Sequence, residues 1–232
     1  NSSALGTDSS GQSNDFTVNG NLKQSVSTVS NLFCTLDANQ AYDKTYVRYA
    51  GTAFLGTTTT AIGVNSTQMV KNGKWYFEVK VETDRTTANG ATLGIVKNGT
   101  YASSFFKGAG STAVVGNSSS SNGAEGISYQ PMTSTPNILD AGGGGTVNYG
   151  SQASANDIIM CAFDLDNGKI WFGKNGTWFN APGTSNVGNP ATGANAGLSF
   201  TKGDDFWGIN ITAVNNAADS ANKHMFCNFG EG

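Results

Sequence analysis

The chain is poor in charge. Thirteen Lys and Arg stand against sixteen Asp and Glu, 12% of its 232 residues, and the formal net charge is −3. No basic run exists, so the phosphate-neutralising stripe that nucleic-acid binding requires is missing, and nucleic acid is not an expected partner. No stretch approaches roughly 18 consecutive apolar residues, and the first residues carry neither the charged nor the apolar segment of a secretory leader, so no membrane insertion is expected. The chain opens with Asn1 and reads as a processed product or as part of something longer.

Cysteine and histidine are also scarce. Cys34, Cys161 and Cys227 are too few and too scattered for a disulfide framework or a zinc site, and each sits in an apolar, strand-like run. They are expected to be buried free thiols, with a Cys34–Cys227 bond as the alternative, because the first and last strands of a sandwich often lie side by side. His224 is the single histidine, so any Ser/His/Asp or Cys/His machinery would depend on it alone; beside a closing strand it reads as structural.

What the chain has is 31 Gly and a polar remainder rich in Asn, Ser and Thr, a composition short of helix formers and full of turn residues. It is expected to be all-β. The stretch DIIMCAFDLDNGKIWFGKNGTWF, Asp157 to Phe179, specifies a three-strand meander. Asn167-Gly168 and Asn175-Gly176 each suit a two-residue type I′ turn, whose central residues need positive φ. That reading pairs Asp166 with Lys169, Leu165 with Ile170, Asp164 with Trp171, Phe163 with Phe172, and Phe172 in turn with Phe179. One face then carries Ile159, Cys161, Phe163, Leu165, Ile170, Phe172 and Phe179 as core. The other carries Asp164, Asp166, Lys169, Trp171, Lys174 and Trp178, open to solvent or to a partner.

Residues 1–30 are polar and rich in Gly and Ser, and read as a linker or an arm laid on a neighbour; 31–232 form the folded domain. Asn31 to Leu36 is expected as the first strand. Trp75 to Glu82 shows the clearest alternation, with Trp75, Phe77, Val79 and Val81 on one side and Tyr76, Glu78, Lys80 and Glu82 on the other. Ala91 to Val96, Phe206 to Ala213 and the run from His224 to Gly230 supply further strands. Residues 98–150 look least regular, the kind of loops that carry variation and binding.

Three chemistries are tested and set aside. Glu78 and Glu82 share a face, as do the carboxylates of sandwich-fold glycosidases, but the residue between them is Lys80 where those enzymes carry Asp. Asp164-Leu-Asp166-Asn-Gly168 imitates the start of a calcium loop, yet Asn175 stands where the bidentate Glu belongs, and a turn accounts for Asn167-Gly168. No metal and no cofactor are expected. Sequons at Asn65, Asn117, Asn175 and Asn210 arise by chance in so Asn-, Ser- and Thr-rich a chain.

Five motifs resemble one family. Asn-Gly-Lys-Trp-Tyr-Phe-Glu-Val at 72–79, Leu-Gly-Ile at 93–95, Asp-Ile-Ile-Met-Cys-Ala-Phe-Asp-Leu-Asp at 157–166, Phe-Gly-Lys-Asn-Gly at 172–176 and Asn-Phe-Gly at 228–230 resemble, in order and spacing, the SPRY domain. Two positions depart from it: Asn156 and Met160 stand where the family usually carries glycine. The opening, from Asp8 through Phe16 to the Asn31 run, is similar to segments leading into SPRY-like domains of bacteriophage tail-fibre and virion surface proteins. The resemblance implies a bent, concanavalin-like jelly-roll β-sandwich of two antiparallel sheets that recognises through its loops without catalysis. In a phage it implies an extracellular virion appendage, homo-oligomeric (a trimer being one symmetry) or joined to other virion proteins.

Trp75, Phe77, Phe163, Phe172, Phe179 and Phe229 fall on core registers. Candidate ligand-binding aromatics are Trp171 and Trp178 on the outward face of the meander, with Tyr101, Phe105, Phe106 and Tyr129 in the long loops; sugar stacking, a subunit contact and packing beneath a neighbouring loop all suit them. The expected function is host-surface attachment through a glycan or protein ligand, without enzymatic activity. The alternative is a purely structural fibre, filament or capsid-decoration subunit that self-associates.

Overall fold

The computed structural model describes residues 7–8, 10–15, 17, 33–39, 41, 47–56, 60–82, 91–98, 107–109, 125–140, 145–180, 186–213 and 223–230. Tyr101, Phe105, Phe106 and Asn117 lie outside these, as does the side chain of His224. A compact unit spans Cys34–Gly230. In the separate unit Asn1–Phe33, the Asp8 carboxylate accepts hydrogen bonds from the Ser10 hydroxyl at 2.6 Å and from the backbone N–H groups of Ser10 and Asn14, closing a small local loop.

The strands of the body are β1 (Val47–Arg48), β2 (Ala53–Gly56), β3 (Thr60–Val70), β4 (Lys74–Val81), β5 (Thr92–Lys97), β6 (Lys107–Ala109), β7 (Gly126–Gln130), β8 (Asn137–Asp140), β9 (Gly145–Asn148), β10 (Ile158–Asp164), β11 (Lys169–Lys174), β12 (Thr177–Trp178), β13 (Leu198–Ser199), β14 (Trp207–Ala213) and β15 (Lys223–Asn228). They form two antiparallel sheets. The first runs β1-β2-β15-β4-β10-β11-β12 with β13 on β11; the second runs β6-β3-β14-β5-β7-β8-β9. A two-sheet sandwich follows from the pattern of β4, whose Phe77, Val79 and Val81 are buried while Tyr76 and Lys80 are exposed.

The meander forms with one change of register. β10 and β11 pair Asp164 with Lys169 and Phe163 with Ile170, so four residues, Leu165 to Gly168, make the turn in place of two. Only Gly168 in it takes a positive φ, 59°. The cause is the Asp164 carboxylate, which accepts the N–H groups of Asp166 and Asn167 at 3.0 Å each and the Asn167 side-chain amide at 2.8 Å, holding the turn from inside. Side chains alternate with a period of two, so this two-residue shift leaves every face as expected. Asn175 and Gly176 do form the two-residue turn, with φ of 50° and 84°, and pair Lys174 with Thr177.

Ile159, Cys161, Phe163, Leu165, Ile170, Phe172 and Phe179 are all buried in the core. The two sheets are tied there by Tyr149, just after β9, whose hydroxyl donates toward the carbonyls of Phe172 at 3.1 Å and Phe179 at 2.9 Å. Its ring meets Phe179 edge-on at 5.9 Å, and Tyr129 stacks on Phe172 at 5.2 Å. Burial pushes both tyrosine hydroxyls well above the usual phenol range.

Three expectations change. Trp75 is not core: it closes the end of β4 at 44% exposure, its indole N–H donating to the Asn72 carbonyl at 2.8 Å. The expected first strand shrinks, among the described residues, to Leu36 bridging Ser66, with Thr35 and Asp37 bonded to the same strand. The stretch expected to be irregular contains β6 to β9. Those of β7 are buried on both faces, so no alternation marks them.

The outer face of the second sheet is polar and buried. Thr212 donates to the Asn210 side-chain oxygen at 3.0 Å, and the Asn210 amide donates to Asn65 at 2.8 Å and to the Val64 carbonyl. Two of the chance sequons, at Asn65 and Asn210, are thereby closed to modification in the folded state. None of the three cysteines is in a disulfide; Cys161 and Cys227 are buried and Cys34 is half-buried.

Candidate functional site: an aromatic corner on the outer face of the first sheet

β4, β10, β11 and β12 lie side by side, and register brings one row of outward side chains across them. Glu78 faces Met160, Met160 faces Gly173, and Gly173 faces Trp178. Gly173 has no side chain, so the Trp178 ring and the Met160 methyl converge over it. One step along β4, the Tyr76 ring meets Trp178 at a centroid distance of 6.0 Å and an angle of 67°.

The Tyr76 hydroxyl donates to the Glu78 carboxylate. Partial burial first, and then the bond and charge of Glu78, hold this phenol above its usual range, so it remains a donor at neutral pH. Tyr76 is 48% exposed, Trp178 and Glu78 are half-buried, and Ile158 and Lys80 stand exposed beside them. Two rings, a carboxylate and an aliphatic floor thus sit on hydrogen-bonded strands, which fix them more firmly than loops would. Farther along the same face, Phe226 of β15 stacks against the exposed Tyr49 at 5.8 Å.

Of the three proposed aromatics among the described residues, Trp178 lies on an accessible surface and the other two do not. Trp171 does point outward, but it is 1% exposed: residues 189–194 fold over it, and its indole N–H donates to the Ala194 carbonyl at 2.9 Å. Tyr129 is core at 0% exposure, its hydroxyl tied to the Ser151 carbonyl. Neither can touch a ligand in this conformation. Tyr76 and Glu78 were read as outward residues without being assigned a role; the signal that finds them is the register of β12, three strands away.

Lys80 stands exposed next to Glu78 on the outer face of β4, and among the described residues no group of three or more His, Cys, Asp or Glu is arranged to hold a metal. A second exposed patch lies at the Trp75 end of the sandwich, where Lys71 sits 5.7 Å over the Phe206 ring and 2.6 Å from the Asp204 carboxylate.

Comparison with known proteins fits this fold. The SPRY domain model matches residues 74–190, just over half of the chain. The crystal structure of the SPRY domain of human HERC1 is similar with a TM-score of 0.55, covering 84% of this chain and 98% of that one at 13% identity, a likeness of fold. A search of curated proteins gives no match. The chain belongs to the SPRY domain family.

Proposed function

We propose that this SPRY domain is a non-enzymatic recognition module whose ligand docks on the outer face of the first sheet. The observation that carries this reading is the Tyr76–Trp178 pair, two rings held at 67° on paired strands with the Glu78 carboxylate bonded to one of them. An exposed ring with polar neighbours offers flat apolar area together with directional bonds, at little cost in side-chain entropy.

In its finer form, the module belongs to an extracellular virion fibre or surface protein of a bacteriophage and attaches it to a host-surface glycan or protein, with residues 1–30 joining it to further copies or to other virion proteins. The Asn-, Ser- and Thr-rich composition and the likeness of the opening segment to phage fibre proteins support this form. The test is retention of the purified full chain on arrayed bacterial surface polysaccharides and surface proteins. Specific retention that Trp178→Ala removes is the expected result. Silence across both arrays overturns attachment and leaves the architectural alternative, which light scattering of residues 29–232 against the full chain then measures.

A further inference from the structure

Among the described residues, a ring and a carboxylate already grip one cation together. At the Trp75 end, the Lys71 ammonium lies 5.7 Å from the Phe206 centroid and 2.6 Å from an Asp204 oxygen, so ring and carboxylate share one lysine. The Tyr76/Trp178/Glu78 corner has the same parts, with a second ring added and the lysine missing. Among the described residues, the neighbouring lysines are engaged elsewhere: Lys74 with Asp164 at 3.8 Å, Lys174 with Asp157 at 3.5 Å and the Gln152 carbonyl at 2.7 Å, and Lys169 with the Gly193 carbonyl at 2.8 Å. Lys80 stands two residues from Glu78, on the side away from Tyr76, across from Ile158 and Phe226.

We propose that this corner receives a lysine or arginine side chain of a partner polypeptide, the cation lying against the Tyr76 and Trp178 faces and toward Glu78. The proposal rests on the recognition reading above and names its ligand chemistry. Ring faces carry negative potential and attract a cation most strongly where it is partly desolvated, with Trp the best of the rings. The Glu78 carboxylate adds a charge-assisted hydrogen bond, and the Tyr76 hydroxyl fixes its orientation. Met160 and Ile158 supply an apolar bed for the methylene stem. The net charge of −3 favours a basic partner over an acidic one. A neutral sugar would use the rings but would have no need of the carboxylate's charge.

The experiment titrates the full chain, followed by tryptophan fluorescence and calorimetry, with capped Gly-Gly-Arg-Gly-Gly and Gly-Gly-Lys-Gly-Gly, the Gln analogue, choline and maltohexaose. The expected result is saturable binding of a basic peptide, weakened about tenfold or more by Trp178→Ala and by Glu78→Gln, and weakened by added salt. Glu78→Gln preserves shape, so its effect reads charge rather than folding. Equal binding of the Gln peptide, indifference to Glu78→Gln, or choline binding without peptide binding overturns the proposal. Maltohexaose binding that depends on Trp178, with no peptide binding, overturns the cationic ligand while leaving recognition on this face intact; no binding by any probe overturns the cationic ligand, and the arrays then judge the broader reading.

Discussion

The terminal methyl of Met160 occupies the space above Gly173 on the neighbouring strand. A Cβ built on Gly173 would lie 2.6 Å from that methyl and 2.5 Å from the Thr177 carbonyl oxygen. Met160 stands where the family usually carries glycine, and the side chain it adds is accommodated because its cross-strand partner has none.

Gly173→Ala is therefore expected to destabilise the protein by about 1–3 kcal/mol through overpacking. Adding Met160→Ala removes one of the two clashes and leaves the other, which is with backbone. Because Met160 is itself buried, the comparison is made within its variant: urea melts of the two single variants and the double should show Gly173→Ala costing less in the Met160→Ala background than alone, and no cost there would show that the Thr177 carbonyl yields.

Trp75→Ala and Phe77→Ala, two residues apart on one strand, should differ sharply. Trp75 is 44% exposed and contributes one indole hydrogen bond, so its loss is expected to cost about 1 kcal/mol. Phe77 is fully buried, and its truncation should cost about 3–5 kcal/mol. Chemical denaturation with equal slopes compares them directly, and equal losses would return Trp75 to the core.

Asn156, the other departure from glycine, holds φ at 69° while its N–H bonds to the Val81 carbonyl. Asn tolerates this left-handed conformation and a β-branched residue does not. Asn156→Gly should melt within a few degrees of the wild type, whereas Asn156→Val should lose about 1–2 kcal/mol.

Acid should weaken the turn after β10. At Asp164, burial opposes the charged form, but the Asn167 side-chain and backbone donors, Lys74 and the Asp166 N–H outweigh it and hold the carboxyl below its usual value. Asp157 behaves alike: burial is overcome by the Ser154 N–H, the Asn175 amide and Lys174. Both folded values lie below the unfolded ones, so their stabilisation is fully present above about pH 4 and disappears as pH falls through the folded values. Thermal melts across that range should show a falling midpoint, with a shallower acid slope in Asp164→Asn.

Some of this was legible along the chain because the governing physics is local. The alternation from Phe77 to Val81 and the Asn175-Gly176 turn depend on neighbours one or two residues apart, and the seven core residues of the meander survive even a shifted turn because the side-chain period is two. Trp171 shows where local reading ends. Its outward direction follows from β11, but its burial comes from residues 189–194 crossing the strand, a contact no period encodes. Tyr129 is similar: its burial follows from Phe172, across the sandwich, and Tyr149 packing against it.

The sequence by itself determined an all-β chain and which side of each clear strand faces inward, since these follow from turn chemistry and period-two burial, while the resemblance of its five motifs carried the family and the sandwich. Only the tertiary structure decided which outward aromatics remain accessible and which of them meet. Tyr76 and Trp178 lie about a hundred residues apart, and their encounter depends on β4, β10, β11 and β12 pairing in one register and on an empty position at Gly173.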